Sequence, residues 1–198
     1  MIGLVIAAIA TFSLVQVRAA LDRAEATPGP FIERGKAAPP IVGRTLDGET
    51  FDLAALRGTP VIVNFWGPSC IPCRDEFPLF KTKLTELGAA NLAIVGVLMD
   101  DPVAPARDFV TEYGASWPTV EDGSGAIRAV YRVAARPQSY FIDREGVLRA
   151  IQVGQLTDAE FARQYALISG EAAPVVTATP GGFGSQKPFG SREVPPPP

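Results

Sequence analysis

The sequence predicts an α/β fold: a mixed sheet flanked by helices, with a β-hairpin extension on its N-terminal side. Three observations predict it. Residues 61–66 and 92–99 are short, continuous apolar runs rich in β-branched residues, as expected of strands covered on both faces. Helix-spaced apolar residues follow each run. A turn at Arg144-Glu145-Gly146 then joins two further strand patterns ahead of a last helix. The order β-α-β-α, hairpin, α requires a sheet with both parallel and antiparallel neighbours.

The elements follow in order. Residues 41–44 and 50–52 flank Asp47-Gly48, a hairpin signal. The run 61–66 leads through Gly67-Pro68-Ser69 into a helix in which Cys73, Phe77, Phe80, Leu84 and Leu87 recur at spacings of four and three. Gly88 stops it. Pro78 lies inside that helix, removes one backbone hydrogen bond and bends it. A helix begins at Asp101-Pro102 and ends near Tyr113-Gly114. Residues 139–143 and 147–153 form the second hairpin. The last helix opens on the capping box Thr157-Asp158-Ala159-Glu160. Leu156 and Phe161 occupy staple positions there, and Phe161, Tyr165 and Ile168 form its apolar face.

The flanks differ in kind. Residues 1–17 carry no charge, and as a helix they would reach about 26 Å, near the lower limit for a bilayer core of about 30 Å. An uncleaved membrane anchor and a secretory signal cut near Ala19 or Ala20 both fit residues 1–18. A soluble core helix fits less well, because the segment has no polar face. The expectation is a single-pass anchor with the globular part outside the cytoplasmic membrane. Residues 19–36, with Pro28-Gly29-Pro30, read as a linker, and residues 37–170 as the folded domain. Residues 171–198 hold seven Pro and four Gly and read as a disordered tail.

Composition excludes several chemistries. A net charge of −3 offers no basic excess for a phosphate backbone, so no nucleic-acid partner is expected. Histidine is absent and the only cysteines are Cys70 and Cys73, which removes Ser-His-Asp and Cys-His catalysis and a four-ligand Cys/His zinc site. Arg74 stands where covalent haem attachment through CxxCH needs His. No cofactor or metal is expected.

What remains is the cysteine pair at a strand-to-helix turn. Two cysteines three apart on a first helical turn can close a disulfide without moving the fold. Cys73 shares a face with Phe77 and Phe80 and is expected to be buried. Cys70 lies at the helix N-terminus, where its sulfur can be exposed and a thiolate meets free N–H groups and the positive end of the helix dipole. Cys70 is therefore the candidate nucleophile and Cys73 the resolving thiol. An inert structural disulfide is the alternative, but a loop this small stabilises a domain little.

These residues carry a resemblance. Ala38-Pro39-Pro40, Leu46-Asp47-Gly48, Leu56-Arg57-Gly58, Val63-Asn64-Phe65-Trp66, Cys70-Ile71-Pro72-Cys73-Arg74-Asp75-Glu76-Phe77-Pro78, and Arg136-Pro137-Gln138-Ser139-Tyr140-Phe141-Ile142-Asp143-Arg144-Glu145-Gly146 resemble membrane-anchored thiol–disulfide oxidoreductases of the TlpA/ResA type and the related cytochrome c maturation reductase CcmG (DsbE). The resemblance covers residues 36–170 and implies a thioredoxin-like fold. It implies that Pro137 is a cis-proline facing the disulfide, that the backbone beside it pairs with the partner's chain, and that it keeps metals off the thiols. An ordinary strand-entry proline is the alternative. It implies that Glu76, one turn after Cys73, tunes the thiols toward reduction, the alternative being a solvated helix Glu. Trp66 is expected to pack beneath the disulfide.

The resemblance also implies the partners: a disulfide in an exported protein such as apocytochrome c or a metallochaperone, and a membrane thiol-transfer protein as electron donor. Three positions depart from the pattern. Ser69 replaces an aromatic residue beside Cys70 and alters the docking rim. Arg136 replaces an apolar residue, and could favour acidic partners, pair with Glu76 or be solvated. Gln138 stands where one branch has Glu and the other Thr.

Two other functions share the fold. A peroxiredoxin-like thiol peroxidase needs Thr or Ser three residues before its attacking Cys, and here that residue is Gly67. A non-enzymatic copper-delivery or docking module would rely on CxxxC and a His, and this chain has neither. An oxidant rather than reductant role remains open on sequence alone.

Overall fold

The computed structural model describes residues 32–170. In order they form β1 (Val42–Arg44), β2 (Thr50–Asp52), a 3-10 turn (Leu53–Leu56), β3 (Val61–Trp66), α1 (Ile71–Leu87), β4 (Ala93–Leu98), α2 (Val103–Tyr113), β5 (Thr119–Glu121), α3 (Ala126–Tyr131), β6 (Gln138–Ile142), β7 (Leu148–Val153) and α4 (Asp158–Ser169). The main sheet has the order β5-β4-β3-β6-β7. β3, β4 and β5 run parallel, whereas β6 is antiparallel to both β3 and β7. This is the thioredoxin-like mixed sheet, and it places the C-terminal end of β3 beside the N-terminal end of β6.

β3 is buried at all six positions, and its alternation divides the core. Ile62 and Trp66 join the cluster that includes Phe77 and Phe80 of α1, Phe109 of α2, and Phe161, Tyr165 and Ile168 of α4. Val61, Val63 and Phe65 join the opposite cluster with Ile32, Ile41 and Tyr131. Helices therefore cover both faces, α3 alone among the α-helices contributing a buried residue to the second cluster.

The N-terminal hairpin pairs Val42 with Asp52 and docks on the edge of β5 through a Thr45–Val120 bridge and a Leu46 N–H to Thr119 O hydrogen bond of 2.9 Å. It covers part of an edge that would otherwise present unpaired backbone groups. Packing reaches back to the buried Ile32, whose N–H donates to Val130 O at 3.3 Å, so residues 32–36 of the expected linker lie on the domain. The expected anchor and tail lie outside the described residues. Among the described residues no helix is long and apolar enough to cross a membrane.

β5, α3 and the 3-10 turn are elements that sequence patterning does not assign. β5 has three residues and α3 six, too few for a period to register. α1 starts two residues before the first apolar-periodic residue. Cys70 is its N-cap and Pro72 falls in its first turn, where a missing N–H costs nothing.

Candidate active site

The site is built where β3 ends. Gly67-Pro68-Ser69 turns the chain, closed by a Cys70 N–H to Gly67 O hydrogen bond of 3.0 Å, and α1 begins. Cys70 and Cys73 form a disulfide with S–S 2.10 Å and Cα–Cα 5.3 Å. Cys70 Sγ accepts a hydrogen bond from the Cys73 N–H at 3.3 Å. A thiolate at Cys70 would keep that donor and the positive end of the α1 dipole.

The two cysteines are unequal as expected, but less so. Cys73 is fully buried, whereas Cys70 keeps 7% exposure, not the open sulfur that its place at a helix N-terminus predicts. The cause is packing: both cysteines belong to the aromatic cluster beneath α1. Trp66 lies in that cluster, fully buried, with Phe77 and Phe109 at ring-centroid distances of 4.7 and 5.0 Å. Ile71, between the cysteines, is 75% exposed.

Glu76 is fully buried, which excludes the solvated alternative. Asn64 Nδ2 donates to its Oε2 at 2.8 Å, and the Leu156 N–H donates to its Oε1 at 3.0 Å. Burial pushes its carboxyl up to about 8, against the lowering effect of these two hydrogen bonds. Asn64 Nδ2 also donates to Ser139 Oγ at 3.0 Å. Asn64 and Ser139 are site residues that sequence reasoning missed. The available signal was one amide inside an otherwise apolar strand, at the phase of Ile62 and Trp66, facing α1.

The Arg136–Pro137 peptide bond is cis. Phe65 pairs with Gln138 across β3 and β6, so Pro137 stands at the end of β6 beside the turn carrying Cys70. Arg136 does not pair with Glu76: the carboxylate oxygens of Glu76 are taken by Asn64 of β3 and by Leu156 in the loop before α4. Its Nη2 donates to Ser69 Oγ at 2.8 Å, and its Nη1 donates to Asp101 Oδ2 at 2.5 Å and to Met99 O. Ser69 Oγ also donates to Asp101 Oδ2 at 3.0 Å. Asp101, read from sequence only as a helix start, is therefore part of the site. Gln138 is buried, accepting from the Ala134 N–H at 3.0 Å and donating to Tyr140 Oη at 2.6 Å, and so ties the loop before Pro137 to the sheet.

This geometry supports thiol–disulfide exchange: a sulfur pair that closes on itself, one member at a helix N-terminus and the other sealed beneath it, with a buried proton-holding carboxyl one turn away. Comparison with known proteins agrees. The model of the AhpC/TSA family matches residues 34–151. The thioredoxin-like protein YneN of Bacillus subtilis is 36% identical over 132 residues, 65% of this chain and 76% of that protein. The thiol-disulfide oxidoreductase ResA of the same organism is 29% identical over 128 residues, 65% of this chain and 72% of that protein. The crystal structure of a thiol:disulfide interchange protein DsbE, described as putative, from Chlorobium tepidum superposes with a TM-score of 0.63 at 27% identity, covering 70% of this chain and 98% of that one. The chain belongs to the AhpC/TSA family and, within it, is a thiol–disulfide oxidoreductase of the ResA/DsbE type.

Proposed function

We propose that this protein is a reductant working outside the cytoplasmic membrane, held there by residues 1–18, that reduces disulfides in exported proteins such as apocytochrome c or a metallochaperone. A membrane thiol-transfer protein supplies its electrons. The observation that carries the direction of electron flow is the buried Glu76. The burial that raises the Glu76 carboxyl, one helical turn from Cys73, also encloses both sulfurs, and it disfavours a thiolate at Cys70 against the pull of the helix dipole. A pair whose reduced form gains little thiolate stabilisation is reducing rather than oxidising.

In the reaction, the Cys70 thiolate attacks one sulfur of the partner disulfide. A Cys70–partner bond forms and the other partner sulfur leaves as a thiolate. Cys73 then attacks Cys70 Sγ, re-forms the 70–73 bond and releases the second partner sulfur. Two electrons pass to the partner, whose thiolates take up the protons. Pro137 and the Arg136 backbone receive the partner chain, Trp66 supports the pair from below, and Ser69 and Arg136 border it.

The peroxidase alternative is disfavoured at Gly67. A Cβ there would collide with Asp101 Oδ2 and Arg136 Nη1, so the Thr or Ser that peroxidatic chemistry needs would displace the Arg136–Asp101 pair. The test is mutational. Cys70→Ser abolishes the protein's acceleration of insulin reduction by dithiothreitol, and Cys73→Ser accumulates mixed disulfides with its partners in the native host. Full turnover by Cys70→Ser refutes the assignment, and a redox titration placing the pair among strong oxidants refutes the direction.

A further inference from the structure

Three loops meet at one guanidinium. Arg136, from the loop before β6, reaches the turn carrying Cys70 through Ser69 and the segment after β4 through Asp101 and Met99 O. Ser69 closes the triangle through its own bond to Asp101. The Arg136 and Asp101 side chains are mostly covered, at 22% and 12% exposure. Asp101 forms no cap for α2, since the N-cap is Pro102 with no side-chain bond. Its carboxylate is committed to the latch. Gly67 accommodates the latch, because any Cβ at that position would strike both charged partners.

An arginine next to Pro137 would by itself draw acidic partners. Here its charge is matched by Asp101 and three of its hydrogen-bond acceptors are internal. The exposed large side chains on this side are apolar instead: Ile71 between the cysteines is 75% exposed, and Val153, which pairs with Gln138 next to Pro137, is 56% exposed.

We propose that Asp101 is a specificity-determining residue of the exchange reaction: by latching Arg136 to Ser69 it masks the guanidinium's charge, leaving the docking face to partner segments with uncharged, apolar residues around their disulfide. The inference rests on the proposed thiol–disulfide exchange with protein partners. Asp101 acts through Arg136 and does not touch the sulfurs.

The test uses the full chain and two synthetic disulfide peptides that differ only in flanking residues, one with aspartates and one with alanines. The readout is the ratio of kcat/KM for the acidic peptide to that for the neutral one. Wild-type protein is expected to favour the neutral peptide. Asp101→Asn keeps the shape of the latch and a hydrogen-bond acceptor but removes the matching charge. It is expected to raise the ratio about two- to fivefold at about 0.01 M salt, the strength of a partly exposed ion pair. The rise should vanish at about 1 M salt, where screening acts within about 3 Å.

Adding Arg136→Gln to Asp101→Asn should return the ratio to wild type, and Asp101→Glu should keep the wild-type ratio. Arg136→Gln alone is an independent arm that does not depend on Asp101→Asn folding. Because Arg136→Gln leaves the Asp101 carboxylate without its matching charge at the rim, the ratio should fall below its wild-type value at low salt. An unchanged or raised ratio in that arm, or an Asp101→Asn ratio equal to wild type, overturns the inference while leaving the exchange reaction standing. A wild-type protein inert toward both peptides overturns the proposed function and this inference with it.

Discussion

Glu76 makes the stability of the oxidised protein depend on pH with a sign opposite to that of a paired surface carboxylate. Its carboxyl titrates near 4.5 in an unfolded chain and at about 8 in the folded one, because burial penalises the charge. Between those two pH values the folded state holds a proton that the unfolded state has released. Stability contributed by this group is therefore fully present below pH 4.5, falls as pH rises, and is lost once pH passes 8. At about 1.4 kcal/mol per pH unit the loss across the window is on the order of 5 kcal/mol. That is a large part of the roughly 5–15 kcal/mol by which a domain is stable.

Glu76→Gln removes the titration. It also turns an amide N–H₂ toward one of the two donors, Asn64 Nδ2 or the Leu156 N–H, at a pH-independent cost of about 1–3 kcal/mol. The two stability curves should therefore cross. The variant is less stable than wild type at pH 5 and more stable by about 2–4 kcal/mol at pH 9. The assay is guanidinium denaturation of the disulfide-bonded protein across pH 5–9, followed by the fluorescence of the buried Trp66 and Trp117. Parallel curves for wild type and Glu76→Gln would show that Glu76 is ionised in the fold throughout, and the argument from burial to electron flow would fall with it.

Two further changes test the ground on which the site stands. Phe77 touches Trp66, Phe109, Tyr113 and Trp117 at ring-centroid distances of 4.7–5.9 Å, so Phe77→Ala should cost about 3–5 kcal/mol in the same denaturation experiment. A loss under about 1 kcal/mol would mean that the cluster under the cysteines is not a packed core. Gly96 lies in β4 between two hydrogen-bonded strands, and a Cβ there would come within 2.7 Å of Trp66 Nε1 and against Thr119 Oγ1. Gly96→Ala should destabilise by about 1–3 kcal/mol and shift the Trp66 emission, and a neutral effect would refute the tight fit.

The fold was legible wherever a segment was long enough to show a period. β3 was found from its continuous apolar run, α1 and α4 from their apolar spacing and α2 from the signals at its two ends, and the capping box at Thr157 and Glu160 forms as read. β5 and α3 escaped because three and six residues carry no period, and their stability comes from neighbours. β5 pairs with β4 and is bridged by the N-terminal hairpin. α3 is opened by Asp122, which accepts from the N–H groups of Ile127 and Arg128 at 3.1 and 2.8 Å. That carboxylate lies outside the helix, four residues before its first residue, where the usual capping patterns do not look.

The site divides along the same physical line. Cys70, Cys73 and Glu76 lie on one helix, so spacing alone placed them on adjacent turns. The partners that decide how they behave come from elsewhere: Asn64 from a strand 12 residues away, Leu156 from a loop 80 residues away, and Asp101 meeting Arg136 across 35 residues. Sequence reading offered Arg136 only Glu76 as a partner within the chain, and nothing in local patterning pointed to Asp101. The fold decides, because Glu76 is turned under α1 toward the sheet whereas Arg136 sits at the rim where the strands end. The same separation gives the two groups different parts in the proposed function: the buried carboxyl of α1 bears on the chemistry of the cysteines, and the latched guanidinium at the rim bears on what can dock.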